Sequence, residues 1–250
     1  MTFSGKTAIV TGAAGGMGFN IALDLVSQGA YVVLIDIKKP DGALSQAGPG
    51  TAFFAQGDVT DSTFVKSVMD NAFKETSRLD YLVNAAGVLW FDKDRSTEEI
   101  DLDAWDRILE INLKSMIITC RHALPLMRKT GSGAMVHIAS VQAVRGDDKP
   151  QVAYQASKAG IISLSKTVAM EGAADGIRSN SILPGPTVSP MQDRWLQDPL
   201  IQSSTESAIP LGRAGTTQDM SNATLFLLSD KASYITGTEL IVDGGLLARP

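Results

Sequence analysis

A glycine-rich turn between an apolar strand and a helix constrains the fold of this chain more than any other feature. Thr7-Ala8-Ile9-Val10 is a short β-branched apolar run, typical of a strand buried on both faces of a parallel sheet. It leads directly into the segment 11–18, TGAAGGMG, and a helical apolar pattern then continues to Gly29. Such a turn brings backbone N–H groups and the positive end of a helix close to a pyrophosphate. We therefore expect a dinucleotide cradle formed by Gly12, Gly15, Gly16, Met17 and Gly18.

A carboxylate lies at the position where a dinucleotide cradle of this kind needs one. The next apolar run, residues 31–35, ends at Asp36, about twenty residues beyond the glycine turn. In dinucleotide folds a carboxylate at that point accepts hydrogen bonds from a ribose hydroxyl, and it would repel a 2′-phosphate. We therefore expect NAD rather than NADP as the cofactor, bound at Asp36 and Ile37, although Lys38 and Lys39 lie nearby.

The alternation of strand and helix patterns continues along the whole chain. Helices are expected from Asp61 to Thr76, over 97–129, from Tyr154 onward and over 217–229. No repeat, low-complexity segment or linker separates two halves, so we expect one domain over 1–250: an α/β, Rossmann-like, doubly wound parallel sheet of about seven strands with helices on both faces. The segment 187–210 breaks the rhythm and is a candidate lid. The later strands are expected at 52–55, 79–83, 135–138, 177–183 and 239–242.

Composition excludes several classes of partner. The 250 residues are 44% apolar and 20% charged, with a formal net charge of −5 and no run of Lys or Arg, which argues against nucleic acid or an anionic membrane. Cys120 is the only cysteine, so no internal disulfide forms and a cytoplasmic location is expected. The start lacks the apolar core of a signal peptide. His122 and His137 have no second ligand at metal spacing, so we expect no metal site.

Tyr154 and Lys158 are the strongest indication of chemistry. Side chains four residues apart on a helix lie on the same face, and a neighbouring cation lowers the pKa of a phenol from its usual value of about 10 toward the range of general acid–base catalysis. Ser140 follows the fifth strand, where ligands of open parallel sheets bind, and could hold a substrate oxygen. Asn112, among apolar neighbours, is either a structural clamp or a holder of water. Alone, the Tyr-x-x-x-Lys spacing is weak, because most such pairs are solvated.

Taken together, these motifs resemble those of the short-chain dehydrogenase/reductase family, in the branch of about 250 residues. The resemblance covers nearly the whole chain, and it implies a seven-stranded parallel sheet with a catalytic set of Asn112, Ser140, Tyr154 and Lys158. The motifs stand in the family's order: Thr11-Gly12-x-x-x-Gly16-x-Gly18, Asn84-Ala85-Ala86-Gly87, Asn112, Ser140, Tyr154-x-x-x-Lys158 and Pro184-Gly185.

The resemblance also implies a role for each catalytic residue. Tyr154 would be the acid or base, Lys158 would lower its pKa and hold the nicotinamide ribose, and Ser140 would orient the substrate oxygen. Asn112 would anchor a water that links Lys158 to solvent. Family members are usually tetramers, sometimes dimers, which pair through two long helices, here about 102–129 and 153–174, so we expect a homotetramer or homodimer.

Further cofactor contacts are implied along the sheet edge. The family's NADP-dependent members commonly carry a basic residue just before the second glycine of the turn, and Gly15 stands there in this chain, which again favours NAD. The loop from Ser140 to Tyr154 is one residue longer than the commonest family spacing. The remaining contacts implied are Asp58 and Val59 at the adenine, Asn84, Ala85, Ala86 and Gly87 beside the cofactor, and Pro184, Gly185 and Thr187 over the nicotinamide.

The function expected is NAD(H)-dependent interconversion of a secondary alcohol and a ketone by hydride transfer, with Tyr154 as general acid or base. The substrate could be a cyclic alcohol, a diol, a sugar-like polyol or a hydroxy acid. One alternative is an NADPH-dependent 3-oxoacyl-acyl-carrier-protein reductase, and another is a non-catalytic NAD-binding sensor or scaffold. The substrate pocket is expected to contain Trp90, Ser140, Gln142, Tyr154, Met191 and Trp195.

Overall fold

The computed structural model describes residues 2–40, 48–192 and 199–249. Within these residues, the seven strands are β1 (Thr7–Thr11), β2 (Tyr31–Asp36), β3 (Thr51–Gln56), β4 (Tyr81–Asn84), β5 (Gly133–Ile138), β6 (Ile177–Pro184) and β7 (Glu239–Val242). They form one parallel sheet in the order β3-β2-β1-β4-β5-β6-β7. The order reverses between β1 and β4, and in open parallel sheets ligands bind at the carboxyl ends of the strands beside such a reversal.

Helices cover both faces of this sheet, as the sequence pattern predicts. The helices are α1 (Gly16–Ser27), α2 (Ser62–Thr76), α3 (Leu102–Leu109), α4 (Ser115–Thr130), α5 (Val152–Gly172), α6 (Pro199–Ala208) and α7 (Thr217–Leu228). Successive side chains of a strand point to opposite faces, so in β1 Ile9 packs into the core with α2, α4 and α5, whereas Ala8 and Val10 pack into the core with α1 and α7. Both cores need apolar residues, which explains why β1 is a continuous apolar run.

The helix expected over 97–129 is interrupted in the structure. It begins only at Leu102, where the Asp101 carboxylate caps α3, and the π-helical segment Glu110–Lys114 separates α3 from α4. A π-helical turn holds an extra residue, so it changes which side chains face the core. Asn112 lies in this segment and is buried.

The candidate lid is partly helical, which its irregular apolar spacing did not indicate. A short 3₁₀ turn, Pro190–Gln192, and helix α6 lie within 187–210. Trp195 lies outside the described residues, so its expected place in the pocket stays a prediction. In the part of the chain that the structure describes, no helix combines the length and apolarity that a membrane crossing requires.

Candidate active site

The glycine turn packs directly against the residues that follow β4. Gly12 has a φ of +65°, and a Cβ there would lie 2.6 Å from the Cα and N atoms of Ala86. A Cβ at Gly18 would lie 2.3 Å from the carbonyl oxygen of Gly12. The Thr11 hydroxyl accepts hydrogen bonds from the N–H groups of Ala85 (3.2 Å) and Ala86 (3.3 Å). Only glycine fits at these two positions, and the turn is held in place from the neighbouring strand.

These features suit a nicotinamide dinucleotide. Helix α1 starts at Gly16, and Gly15 at its N-cap position supplies no side-chain cap, so the helix N-terminus suits an anionic group. Asp36 lies at the end of β2, where its carboxylate accepts hydrogen bonds from Ala14 N (2.9 Å) and Lys38 N (3.0 Å). Its neighbour Ile37 is exposed. The residues at this edge therefore fit a pyrophosphate on the turn and a ribose at the carboxylate.

Asp58, expected at the adenine end, has a partner that sequence reasoning missed. Its carboxylate forms an ion pair with Arg107 at 2.9 Å and accepts hydrogen bonds from Thr60 N and Oγ1, both at 2.8 Å. Partial burial acts to raise the pKa of Asp58, but the bonds from Thr60 and Arg107 outweigh it and hold that pKa below its usual range. Val59 beside it is buried.

Ser140 and Tyr154 meet at the carboxyl end of β5. Ser140 begins a 3₁₀ turn, and its hydroxyl accepts a hydrogen bond from Gln142 N at 3.1 Å. Tyr154 lies in the first turn of α5 and is buried, and the Ser140 side chain is near enough to its phenol for hydrogen bonding to affect the phenol pKa. The two residues predicted from separate motifs are therefore brought into contact.

Lys158 lies one helical turn beyond Tyr154 on the same face. Its Nζ atom donates a hydrogen bond to the Ile138 carbonyl oxygen at 2.7 Å and lies 5.5 Å from the centroid of the Tyr154 ring. Burial raises the pKa of Tyr154 to about 12, with the Ser140 hydrogen bond acting in the opposite direction, and burial lowers the pKa of Lys158 to about 8. The phenol pKa is therefore raised overall rather than lowered as expected, because desolvation dominates while the ammonium faces the ring.

Asn112 closes a clamp on the chain after Gly87. Its Nδ2 donates to Val88 O (3.0 Å) and to Ser157 Oγ (3.1 Å), and its Oδ1 accepts from Val88 N (2.8 Å). A Cβ at Gly87 would lie 3.3 Å from Asn112 Oδ1 and 3.5 Å from Lys158 Nζ. Of the two interpretations left open by the sequence, this geometry is that of a structural clamp. The water that the family resemblance implies stays a prediction.

Asn84, at the carboxyl end of β4, is half-buried and bonds to a polar chain whose other members, His137 and Ser179, are buried. Its Nδ2 lies 3.0 Å from His137 Nδ1, and His137 Nε2 lies 3.0 Å from Ser179 Oγ. Burial lowers the pKa of His137 to about 3, so the ring is neutral. Since an amide nitrogen only donates, His137 Nδ1 is the acceptor and Nε2 carries the proton. His137 thus has the structural environment that its apolar sequence neighbours indicate.

Three further predicted pocket residues, Gln142, Trp90 and Met191, lie among the described residues and differ in their contacts and exposure. Gln142 Nε2 donates to Asp147 Oδ2 (2.6 Å) and Gln151 Oε1 (3.2 Å). Trp90 is half-buried, with Lys93 Nζ 5.9 Å from its ring centroid, and Met191 is exposed.

The segment after β6, expected over the nicotinamide, is tightly built. Pro184 ends the strand, and a Cβ at Gly185 would lie 2.7 Å from the Cα of Asp243. The buried Thr187 donates from Oγ1 to the Gly185 carbonyl oxygen at 2.9 Å. This packing fixes the chain where it leaves the sheet.

Asp94 was not identified from the sequence, although it binds the first turn of α5. Its carboxylate accepts hydrogen bonds from Ala153 N (2.9 Å) and Tyr154 N (2.8 Å). A capping residue normally stands immediately before its helix, and Asp94 is about 60 positions away, so no local spacing could reveal it.

Cys120 is buried, and burial raises the pKa of its thiol to about 12. Among the described residues, no three His, Cys, Asp or Glu side chains are grouped to hold a metal.

Comparison with known proteins identifies the family. A family model described as enoyl-(acyl carrier protein) reductase matches residues 12–247. A cyclopentanol dehydrogenase of Comamonas sp. (strain NCIMB 9872) is 37% identical, over 97% of each chain, and a 3-oxoacyl-acyl-carrier-protein reductase of Thermotoga maritima is 34% identical, over 99% of this chain and 100% of its own. The solved structure of a short-chain type dehydrogenase/reductase from Mycobacterium ulcerans has a TM-score of 0.92 and 29% identity, over 100% of this chain and 92% of its own.

The chain belongs to the short-chain dehydrogenase/reductase family. It is therefore an oxidoreductase of the kind that acts on CH–OH donors with a nicotinamide cofactor. The predicted fold class and family resemblance are confirmed.

Proposed function

We propose that the protein is an NAD(H)-dependent dehydrogenase that interconverts a secondary alcohol and its ketone. The observation that carries this proposal is the contact between Ser140 and the buried Tyr154, with Lys158 one turn away, at the sheet edge beside the glycine turn. A hydroxyl and a phenol placed this close to each other can both reach one substrate oxygen. That geometry suits proton exchange at a carbinol or carbonyl oxygen.

The chain's own residues divide the work between binding and proton transfer. Tyr154 takes the hydroxyl proton during oxidation and returns it during reduction, while Ser140 holds the same oxygen. Lys158, an ammonium at neutral pH even with its lowered pKa, lies between the phenol ring and the Ile138 carbonyl oxygen and keeps positive charge beside the reacting groups. A bound nicotinamide would supply the hydride acceptor or donor.

Binding of the cofactor is assigned to the residues of the crevice. The turn from Gly12 to Gly18 would receive the pyrophosphate, and Lys158 the nicotinamide ribose. Preference for NAD rests on Asp36, whose carboxylate is fixed by Ala14 N and Lys38 N and would repel a 2′-phosphate. The other assigned contacts are Ile37, Asp58, Val59, Asn84, Ala85, Ala86, Gly87, Pro184, Gly185 and Thr187.

A small cyclic or polyhydroxylated secondary alcohol is the proposed substrate. Trp90 supplies an apolar wall, and Gln142, whose two amide N–H groups bind Asp147 and Gln151, supplies a carbonyl oxygen two residues from Ser140. The cyclopentanol dehydrogenase relative supports a cyclic alcohol. The carboxylate of Asp147 beside Gln142 makes a hydroxy acid the least favoured of the four substrate classes.

The test is NADH production across a panel of cyclic alcohols, diols, polyols and hydroxy acids, run in parallel with NAD and NADP. We expect turnover with NAD and one of the first three classes. Turnover only with NADPH and a 3-oxoacyl thioester would instead support the acyl-carrier-protein reductase, which the Thermotoga maritima relative represents. Tight NAD binding without turnover of any member would support a sensor or scaffold.

A homotetramer or homodimer is part of the proposal. The apolar side chains of Leu102, Ile117 and Met170 are exposed, and they lie on α3, α4 and α5, the region through which family members pair. Size-exclusion chromatography with light scattering tests this: a multiple of the 26.5 kDa chain is expected, and a monomer at micromolar concentration would refute it.

A further inference from the structure

Segment 94–95 takes up all three N–H groups that begin the catalytic helix. Gln151, at the N-cap position of α5, supplies no side-chain cap. Instead the Arg95 carbonyl oxygen accepts from Val152 N (3.3 Å), and the two Asp94 carboxylate oxygens accept from Ala153 N (2.9 Å) and Tyr154 N (2.8 Å). The first intrahelical bond follows, from Gln155 N to Gln151 O. The start of α5 is therefore held by a distant part of the chain rather than by its own flanking residue.

Because Asp94 is buried, its carboxylate depends on its hydrogen bonds to α5. The residue is 1% exposed. A carboxylate removed from water needs hydrogen bonds to compensate, and each of its oxygens receives one from the helix. Its negative charge also lies at the positive end of α5, which strengthens both bonds. A shift of the first turn of α5 would therefore break two charge-assisted bonds at once.

The same segment also builds a wall of the proposed substrate pocket. Asp94 N donates to Trp90 O at 2.8 Å, and Asn112 binds both backbone groups of Val88. The stretch 88–95 is thus fixed to the π-helical segment at one end and to Tyr154 at the other. Asp94 is the point at which the pocket wall and the acid–base residue are joined.

We propose that Asp94 is a positioning residue for catalysis: it fixes the first turn of α5 so that Tyr154 faces Ser140, and it holds the Trp90 segment in register with that turn. This inference rests on the proposed function of Tyr154. It assigns Asp94 no contact with the substrate or cofactor, so its effect is on the step that Tyr154 performs rather than on cofactor binding.

The test compares Asp94→Ala and Asp94→Asn with a matched loss of a helix cap elsewhere, Thr216→Ala, which removes the capping box of α7. We expect Asp94→Ala to lower kcat for the best alcohol by about 10- to 100-fold, with NADH affinity changed less than about twofold. Asparagine keeps one acceptor oxygen, so Asp94→Asn should lie between. Both Asp94→Ala and Thr216→Ala should lower Tm by roughly 2–6 °C, but Thr216→Ala should leave kcat unchanged.

The solvent deuterium isotope effect distinguishes a misplaced Tyr154 phenol from a general loss of rigidity in the protein. If proton transfer by Tyr154 is impaired, the solvent deuterium isotope effect on kcat should rise in Asp94→Ala and stay at the wild-type value in Thr216→Ala. An unchanged kcat and isotope effect in Asp94→Ala, measured below its Tm, would overturn the proposal.

Hydrogen exchange gives a readout that needs no substrate. The amides of residues 152–156 should exchange faster in Asp94→Ala than in wild type, and those of α7 should not. If the wild type turns over no alcohol, the proposed function fails, and the attachment of α5 is still judged by exchange. Unchanged protection of 152–156 would overturn the role of Asp94 whether or not turnover is found.

Discussion

The Nζ atom of Lys158 lies over the ring of Tyr154, 5.5 Å from its centroid, and donates its hydrogen bond to the carbonyl oxygen of Ile138. The ammonium therefore stabilises the site through its contact with the face of the Tyr154 ring and its hydrogen bond to the carbonyl oxygen at the end of β5. Burial sets both pKa values, upward for the phenol and downward for the amine. The phenol is protonated at neutral pH, which suits it to donate a proton to a carbonyl and makes its deprotonation the demanding part of alcohol oxidation.

Replacement of Tyr154 by Phe tests the central residue. Loss of the phenolic proton carrier should lower kcat about 10²- to 10⁴-fold, while NADH binding, measured by fluorescence titration, should change little because the ring remains. Tyr234 is fully exposed, so Tyr234→Phe is the matched control and should keep wild-type activity. Substantial turnover by Tyr154→Phe would remove the proposed mechanism.

Ser140→Ala should move the pH dependence of alcohol oxidation upward. The Ser140 hydrogen bond lowers the pKa of Tyr154 against the effect of burial, so its loss raises that pKa, and the deprotonated phenol forms only at higher pH. The measurement is kcat/KM from pH 8 to 12, the range that contains a phenol pKa of about 12. Ser163, exposed on α5, supplies the control Ser163→Ala, whose profile should match wild type. If the rise of kcat/KM with pH stays in place or moves to lower pH in Ser140→Ala, the contact between Ser140 and Tyr154 is contradicted.

Asp36 should decide between NAD and NADP. Both Asp36→Asn and Asp36→Ala remove the charge that repels a 2′-phosphate, so each should lower the NAD/NADP ratio of kcat/KM by about tenfold or more. Asp36→Asn keeps a side chain of nearly the same shape, which separates charge from packing. Asp230, an exposed carboxylate remote in sequence from Asp36, provides the control Asp230→Asn. If neither Asp36 variant changes the ratio, the carboxylate does not read the ribose.

Gly18→Ala should weaken cofactor binding. The added Cβ would lie 2.3 Å from the Gly12 carbonyl oxygen, so the turn has to move away from its position against α1. We expect the Kd for NADH to rise more than about tenfold, since the backbone approach to the pyrophosphate is lost. Gly146 has open space around its Cβ position, and Gly146→Ala should bind NADH normally. Normal binding by Gly18→Ala would show that the turn does not hold the cofactor.

His137 should make the protein less stable in mild acid. Its pKa is near 6.5 when unfolded and about 3 when folded, so below pH 6.5 the unfolded chain binds a proton that the folded chain does not. Stability should therefore fall as pH falls from 6.5, by up to about 1.4 kcal/mol per pH unit from this group. Urea unfolding of wild type and His137→Asn between pH 7.5 and 5 measures the difference.

The control is the other histidine. His122 is half-buried, with a pKa lowered first by burial, and His122→Asn should change the slope less than His137→Asn does. Equal slopes for wild type and His137→Asn would show that the buried ring is not the source of the acid sensitivity.

The features that the sequence alone determined are local or periodic. The apolar run before Gly12, the glycine spacing through Gly18 and the carboxylate at Asp36 are encoded in adjacent residues, because a strand, a tight turn and a helix each depend on neighbours in the chain. The four-residue spacing of Tyr154 and Lys158 fixes their common helix face in the same way. These signals are sufficient to predict the sheet, the glycine turn between β1 and α1, and the common helix face of Tyr154 and Lys158.

What the tertiary structure decided depends on burial and on contacts between distant residues. The direction of the Tyr154 pKa follows from how completely the phenol is removed from water, which no spacing encodes. The clamp of Asn112 on Val88 required a π-helical turn, and the Arg107 partner of Asp58 comes from another helix. Asp94 binds the start of α5 across about 60 residues. Packing brings such groups together after the local elements form, so the chain order carries no signature of them.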